Sequence, residues 1–100
     1  MLEGVCGVRE KEIEQKLVKA VKALDGLCIK FTSPGMDGVP DRLVLMPKGK
    51  IAFIELKATG KKPRPLQIKR MEQLMKLGFP CFVLDDIKLI GGMLDEIQSS

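Results

Sequence analysis

Apolar residues follow two different periods along this chain of 100 residues. Over residues 9–25 they recur every three or four positions, which predicts an amphipathic helix that Gly26 ends. A second helix is predicted from Pro65, a residue suited to a first helical turn, to about Leu77, and a short third helix is expected around residues 93–97. The apolar stripe of the first helix consists of Ile13, Leu17, Ala20, Val21 and Leu24.

Short unbroken apolar runs predict strands that are buried on both faces. Four strands are predicted from such runs, at residues 27–31, 43–46, 51–54 and 81–84, of which only the first contains a charged residue, Lys30. A loop rich in glycine and proline covers residues 32–39 and separates the first run from the second.

The middle two runs are joined by three residues, Pro47, Lys48 and Gly49, which predicts a hairpin. With Lys48 at the centre of that hairpin, Asp41 lands directly opposite Glu55. Directly opposed residues of an antiparallel pair point to the same side, with Cβ atoms about 4.5–5.5 Å apart. The intervening pairs are Met46 with Lys50, Leu45 with Ile51, and Leu43 with Phe53.

The opposed acids predict a metal site at one end of this hairpin. Two facing carboxylates repel each other unless a cation lies between them or one of them takes up a proton. Lys57 follows Glu55 at a spacing of two residues and therefore projects to the same side of the strand. An isolated Glu-x-Lys is commonplace in a charged chain, but this one follows four apolar residues at the end of a buried strand. Asp41, Glu55 and Lys57 together indicate metal-dependent cleavage of a phosphodiester bond.

Composition narrows the chemistry and the class of protein. The length suits one domain, and 45% hydrophobic residues suit a folded one. Histidine is absent, which excludes a histidine base and most zinc sites, so the expected cation is Mg²⁺ or Mn²⁺ on oxygen ligands. The scattered Cys6, Cys28 and Cys81 form no paired motif and fit a reducing interior. No apolar run is long enough to span a membrane, and we expect a cytoplasmic protein.

Lysine and arginine exceed the acids by 17 to 13, and the excess is local. Residues 57–70 contain six cations and no acid, which predicts a surface that binds phosphates, although a solvated loop would have the same composition. Arg42 is predicted to join this surface. The cations of the segment, beside Lys57, are Lys61, Lys62, Arg64, Lys69 and Arg70.

Two further polar positions could complete the site. Glu10 and Glu14 lie one turn apart on the first helix, and either could reach the metal as a third acid or simply favour the helix dipole. Gln67 sits in the first turn of the second helix, where it could bridge Lys57 to a phosphate or cap the helix.

In this order, the strings 38–45 (GVPDRLVL), 54–58 (IELKA) and 65–67 (PLQ) resemble a VRR-NUC domain of the PD-(D/E)xK nuclease superfamily. The resemblance covers nearly the whole chain and implies one domain over residues 1–100, with a core at about 9–98. It implies an α/β, restriction-endonuclease-like fold, a central mixed β-sheet flanked by α-helices. It also implies a metal held by Asp41, Glu55 and the Leu56 carbonyl, with Lys57 catalytic, Gln67 supporting it and Glu10 as the best match for the helix acid.

The resemblance suggests a substrate and an assembly as well. Stand-alone members of the family are similar to resolvases of four-way (Holliday) junctions, which act as homodimers, and a two-fold dimer would supply two active sites. The expected function is therefore structure-selective cutting of branched DNA. A flap or nicking nuclease, and a non-catalytic nucleic-acid-binding module that keeps the nuclease fold, remain the alternatives.

Overall fold

The computed structural model describes residues 8–100, so that Cys6 lies outside the described residues. One four-stranded sheet forms the centre, with strands in chain order across it. The first three strands are antiparallel and the fourth runs parallel to the third, so the sheet is mixed, as predicted. The elements are α1 (Glu10–Ala23), β1 (Leu27–Lys30), β2 (Arg42–Met46), a 3₁₀ turn (Pro47–Gly49), β3 (Lys50–Leu56), α2 (Pro65–Lys76), β4 (Cys81–Leu84), a 3₁₀ turn (Ile87–Leu89) and α3 (Ile90–Ser99).

The hairpin of β2 and β3 has the predicted register. Leu43 pairs with Phe53 and Leu45 pairs with Ile51. The connection has the predicted length, but Lys48 (φ 69°) as well as Gly49 (φ 75°) adopts a left-handed backbone conformation. Two successive left-handed residues reverse the chain within the three residues 47–49.

One face of the sheet, here called the core face, packs against α1 and α3. The alternation of a strand places every second residue on this face, which leaves Phe53 and Glu55 on the opposite, site face. The buried core is formed by Ile13, Leu17 and Val21 of α1, by Val44, Met46, Ala52, Ile54, Leu56 and Leu84 of the sheet, and by Ile90, Met93, Leu94 and Ile97 of α3.

Helix α2 lies on the site face of the sheet. It connects β3 to the parallel β4, the arrangement that a parallel pair requires. Its buried residues, Gln67 and Met71, do not belong to the core cluster, and the Met71 carbonyl lies 3.7 Å from the Sγ of Cys81 on β4. The two faces of the sheet are thus covered by different helices.

The third helix is longer than predicted. Residues 90–99 are helical, and a 3₁₀ turn precedes them, although only residues 93–97 were expected. Gly91 and Gly92 lower the helix propensity of the first turn, but the burial of Ile90 and Leu94 against the core offsets that loss. No helix among residues 8–100 is both long and apolar enough to cross a membrane.

Candidate active site

Asp41 is fixed by the main chain of both neighbouring strands. It immediately precedes β2, and its carbonyl oxygen accepts a hydrogen bond of 2.9 Å from the amide of Phe31, one residue beyond β1. Its carboxylate Oδ2 accepts a hydrogen bond of 2.8 Å from the amide of Leu56 at the end of β3. The side chain is therefore held against the strand that carries Glu55.

Glu55 is a buried acid with an incomplete set of partners. Its side chain is 1% exposed, and its Oε2 lies 3.4 Å from the Nζ of Lys57. Its Oε1 has no hydrogen-bond partner, and among residues 8–100 no other buried side-chain nitrogen or oxygen is unpartnered. Buried polar atoms are nearly always paired, so this oxygen indicates a place where another group binds.

The surroundings of Glu55 favour its protonated form. Burial, together with the negative charges of Asp41 and Glu10, raises the pKa of Glu55 to about 7 against the opposing effect of Lys57. Burial and the neighbouring Asp41 also raise the pKa of Glu10. Three acids and one lysine therefore act on one another as a single electrostatic cluster.

The two acids of α1 have different surroundings. Glu14 accepts a hydrogen bond of 2.9 Å from the Nε of Arg42, whose Nη1 also donates to the carbonyl of Cys28 at 3.0 Å. The charge of Asp41 raises the pKa of Glu10 and that of Lys57 lowers it. These charge effects favour Glu10 as the third acid, and the choice between the two acids stays a prediction.

The donor atoms fit a hard divalent cation, although the described residues do not enclose one. Among residues 8–100, no three acidic or cysteine side chains are gathered closely enough to form a complete metal site. Mg²⁺ commonly needs only one or two carboxylates and takes its other ligands from water and substrate phosphates. The unpaired oxygen of Glu55 beside Asp41 supplies that kind of donor.

Comparison with known proteins was made for sequence and for structure. The chain is 50% identical over 78 residues to "Putative nuclease p44" of Acyrthosiphon pisum secondary endosymbiont phage 1, a match that covers 78% of this chain and 84% of that protein. A solved VRR_NUC domain superposes with a TM-score of 0.78 at 28% identity, over 88% of this chain and 97% of the other.

The chain belongs to the VRR-NUC family of nucleases. Its fold is the restriction-endonuclease-like fold that the sequence predicted, with a mixed sheet and flanking helices. No protein-family model matches the chain.

In this VRR-NUC chain Gln67 caps the second helix. Its Oε1 accepts a hydrogen bond of 2.8 Å from the amide of Arg64, the residue that precedes α2. This is half of a capping box, since the arginine side chain at the cap position carries no acceptor to complete the other half. The helix-capping interpretation of Gln67 is confirmed, whereas its supporting role in catalysis stays a prediction.

The predicted DNA-binding cations divide into exposed and engaged side chains. Lys61, Lys62, Arg64 and Lys69 are exposed. Arg42 is occupied by Glu14 and is 12% exposed. Arg70 donates through Nε to the carbonyl of Asp37 at 2.7 Å, and through Nη1 to Gln73 Oε1 at 3.0 Å. Their predicted DNA contacts stay predictions, but both arginines also have a structural role inside the protein.

Sequence reasoning missed both arginine contacts. Arg42 reaches back 28 residues to Glu14, and Arg70 reaches back 33 residues to Asp37. No local spacing signals a pairing across such separations. Gly38 beside Asp37 was the one available clue, because its φ of +83° favours glycine.

Proposed function

We propose that this nuclease is a Mg²⁺- or Mn²⁺-dependent DNA endonuclease that cuts branched DNA, with four-way junctions as its foremost substrate. The observation that carries the proposal is the buried, unpartnered Oε1 of Glu55 beside Asp41 and Lys57. A chain that only binds DNA gains nothing from an acid whose burial raises its pKa to about 7.

Asp41 and Glu55 would hold the cation, with Glu10 as the third acid and the Leu56 carbonyl as a main-chain ligand. When bound, such a cation polarises the phosphate and lowers the pKa of water to make a nucleophile. The amide of Leu56 keeps Asp41 Oδ2 in place, so one ligand is oriented before any substrate arrives.

Lys57 has two roles in this mechanism. Its ammonium group lies 3.4 Å from Glu55 Oε2 and holds that carboxylate oriented. The same group has further N–H donors for the attacking water or for the charge that develops on the phosphate. The exposed cations Lys61, Lys62, Arg64 and Lys69 bind the DNA backbone without reading its sequence.

Cutting both strands of a four-way junction requires two active sites. We propose a homodimer of single domains related by a two-fold axis. Two surfaces are candidates for the interface, the segment 79–84 and the apolar face of α3. Phe79, at 40% exposed, and Val83, at 38% exposed, lie in the segment 79–84, whereas Met93 and Ile97 of α3 are buried within the chain itself, which favours residues 79–84.

The test is cleavage of labelled four-way junctions, flaps, duplexes and single strands with Mg²⁺ or Mn²⁺. Paired symmetric nicks in the junction are expected for the natural protein, and no cleavage is expected for Glu55→Gln, Asp41→Asn or Lys57→Ala, all of which should still bind DNA. A rise in melting temperature with millimolar Mn²⁺, absent in Glu55→Gln, would locate the metal. If only flaps are cleaved, the protein is a flap nuclease and not a junction nuclease. If no substrate is cleaved in the presence of metal, the protein is a DNA-binding module.

A further inference from the structure

A cavity of about 300 Å³ lies between α2 and the segment that leads from β1 to Asp41. Its apolar walls include the side chains of Phe31, Met36 and Val39 from that segment, and Leu74 and Leu77 from α2. The volume is at the lower end of the range for ligand sites. It suits a single flat ring system better than a helix or a strand of another protein.

The cavity adjoins the proposed active site directly. Phe31, which lines it, donates its amide hydrogen to the carbonyl of Asp41 at 2.9 Å. Val39, which also lines it, precedes Asp41 by two residues, a reach of about 7 Å at most. The wall of the cavity and the acid cluster are therefore joined by a short stretch of backbone that ends at Asp41.

The segment that forms one wall is fixed to α2. Arg70 donates to the carbonyl of Asp37 at 2.7 Å. Gly38 packs so closely on α2 that a Cβ there would lie 2.8 Å from Leu66 Cγ. The cavity is thus a built feature of the fold, held by a hydrogen bond to a charged group and by a backbone contact.

The polar residues of the cavity offer unused hydrogen-bond donors. Arg70 employs only two of its five N–H groups, on Asp37 and Gln73. Among the contacts of the described residues, no hydrogen bond uses the Ser33 hydroxyl or the Gln73 amide nitrogen. Unpaired bases are bound by stacking on aromatic rings and by hydrogen bonds to their edges. Phe31 together with these donors provides both.

We infer that this cavity accepts one unpaired nucleobase of the DNA strand whose phosphate lies at Asp41 and Glu55. The inference rests on the proposed function, since it takes DNA as the substrate. A base inside a duplex could not enter, because it is stacked and paired. The preferred substrate would then have an unpaired nucleotide beside the cut, as flaps and open branch points do. The exposed Lys69 on the same helix favours a nucleic acid over a peptide side chain as the occupant.

The test compares oligo(dT) of twelve nucleotides with an abasic twelve-mer of equal charge, by fluorescence anisotropy in EDTA. The natural protein should bind the oligomer with bases about tenfold more tightly. Met36→Glu should abolish that preference. Met75→Glu is the matched control, since Met75 is similarly exposed (49% against 45%) and does not line the cavity. Equal melting temperatures of the two variants would show that both remain folded.

Equal binding of the two oligomers by the natural protein, or a preference for bases that survives in Met36→Glu, would overturn the inference. If Met36→Glu does not fold, Ser33→Glu takes its place with the same expected result. The measurement needs no metal and no cleavage. If the protein prefers the oligomer with bases but shows no Mn²⁺-dependent cleavage, only the proposed nuclease mechanism is refuted. If it cleaves DNA but shows no such preference, only the binding of a base in the cavity is refuted.

Discussion

At the scale of single residues, Glu55 is the side chain whose surroundings most need an explanation. It is 1% exposed and has one oxygen without a partner. A buried unpaired oxygen costs about 1–3 kcal/mol of stability. Such a cost is expected where another group completes the site during function, and the neighbouring acids Asp41 and Glu10 are the reason that a cation is the group proposed here.

The raised pKa of Glu55 makes the stability of the metal-free protein depend on pH. Between pH 4.5, its ordinary pKa, and about 7, the folded chain holds a proton that the unfolded chain has lost, so stability falls as pH rises. The loss should be about 3 kcal/mol by pH 8. Urea unfolding in EDTA at pH 5 and pH 8 measures it. Glu55→Gln, which cannot titrate, is the control, and parallel pH profiles for the two proteins would contradict the assignment.

Replacement by alanine should mainly reduce stability at Glu14 and mainly reduce cleavage at Glu10. Glu14→Ala removes the charged hydrogen bond to Arg42 and should lower the free energy of unfolding by about 2 kcal/mol, while cleavage persists where the protein is folded. Glu10→Ala should change stability by about 0.5 kcal/mol or less and abolish Mn²⁺-dependent cleavage. Urea unfolding and cleavage rates of both variants give the comparison. Full activity of Glu10→Ala would exclude Glu10 from the site.

At the scale of elements, the active site depends on how the loop of residues 32–39 is attached to α2. Arg70 and Gly38 make that attachment, and Asp41 follows Gly38 by three residues. On the other side of the sheet, Arg42 ties β2 to α1 through Glu14. The residues on either side of the β2 start are therefore anchored to different helices, which leaves Asp41 little freedom to move.

Gly38→Ala should be costly for this reason. Its φ of +83° disfavours a side chain, and the new Cβ would lie 2.8 Å from Leu66 Cγ and 3.2 Å from the Leu66 carbonyl. We expect a loss of about 2 kcal/mol in stability and slower cleavage, because the loop before Asp41 must shift. Gly35→Ala in the same loop is the matched control, since no atom lies within 4 Å of its Cβ. Similar melting temperatures for the two variants would show that the loop is not held at Gly38.

Much of this arrangement could be predicted because it is local. The three residues 47–49 set the register of the hairpin, whose last pair is Arg42 with Ile54, and Asp41 follows next to it, with its side chain hydrogen-bonded to the amide of Leu56. The third helix was predicted too short because Gly91 and Gly92 have low helix propensity, and the first turn that contains them is stabilised by burial. The contact of Glu14 with Arg42 could not be predicted because the two residues are distant in sequence, and the cavity depends on the packing of two separate segments.

At the scale of the whole molecule, charge and apolar surface are unevenly distributed. The exposed cations Lys61, Lys62 and Arg64 lie in the loop between Leu56, at the end of β3, and α2. Several apolar residues outside the core remain exposed, among them Leu27 at 62% and Leu77 at 73%.

The loop cations should account for part of the salt dependence of DNA binding. Replacing Lys61 and Lys62 together by alanine should weaken binding and reduce the slope of log Kd against log salt concentration by about 2, one for each lost phosphate contact. Lys11 and Lys19, exposed on α1, provide a control pair of equal charge. Titrations at several salt concentrations measure both slopes. An equal reduction in the two double variants would mean that only net charge matters.

The short connection between β2 and β3 also bears on the order in which the chain folds. A hairpin closed by three residues can form within about 1–10 μs, before contacts between distant segments. Asp41 and Glu55 would then come together early, as like charges, while Glu10 and the crossover through α2 arrive later. The acids that carry the chemistry would thus be assembled first, and the neighbours that bury and orient them would be added around a hairpin already in place.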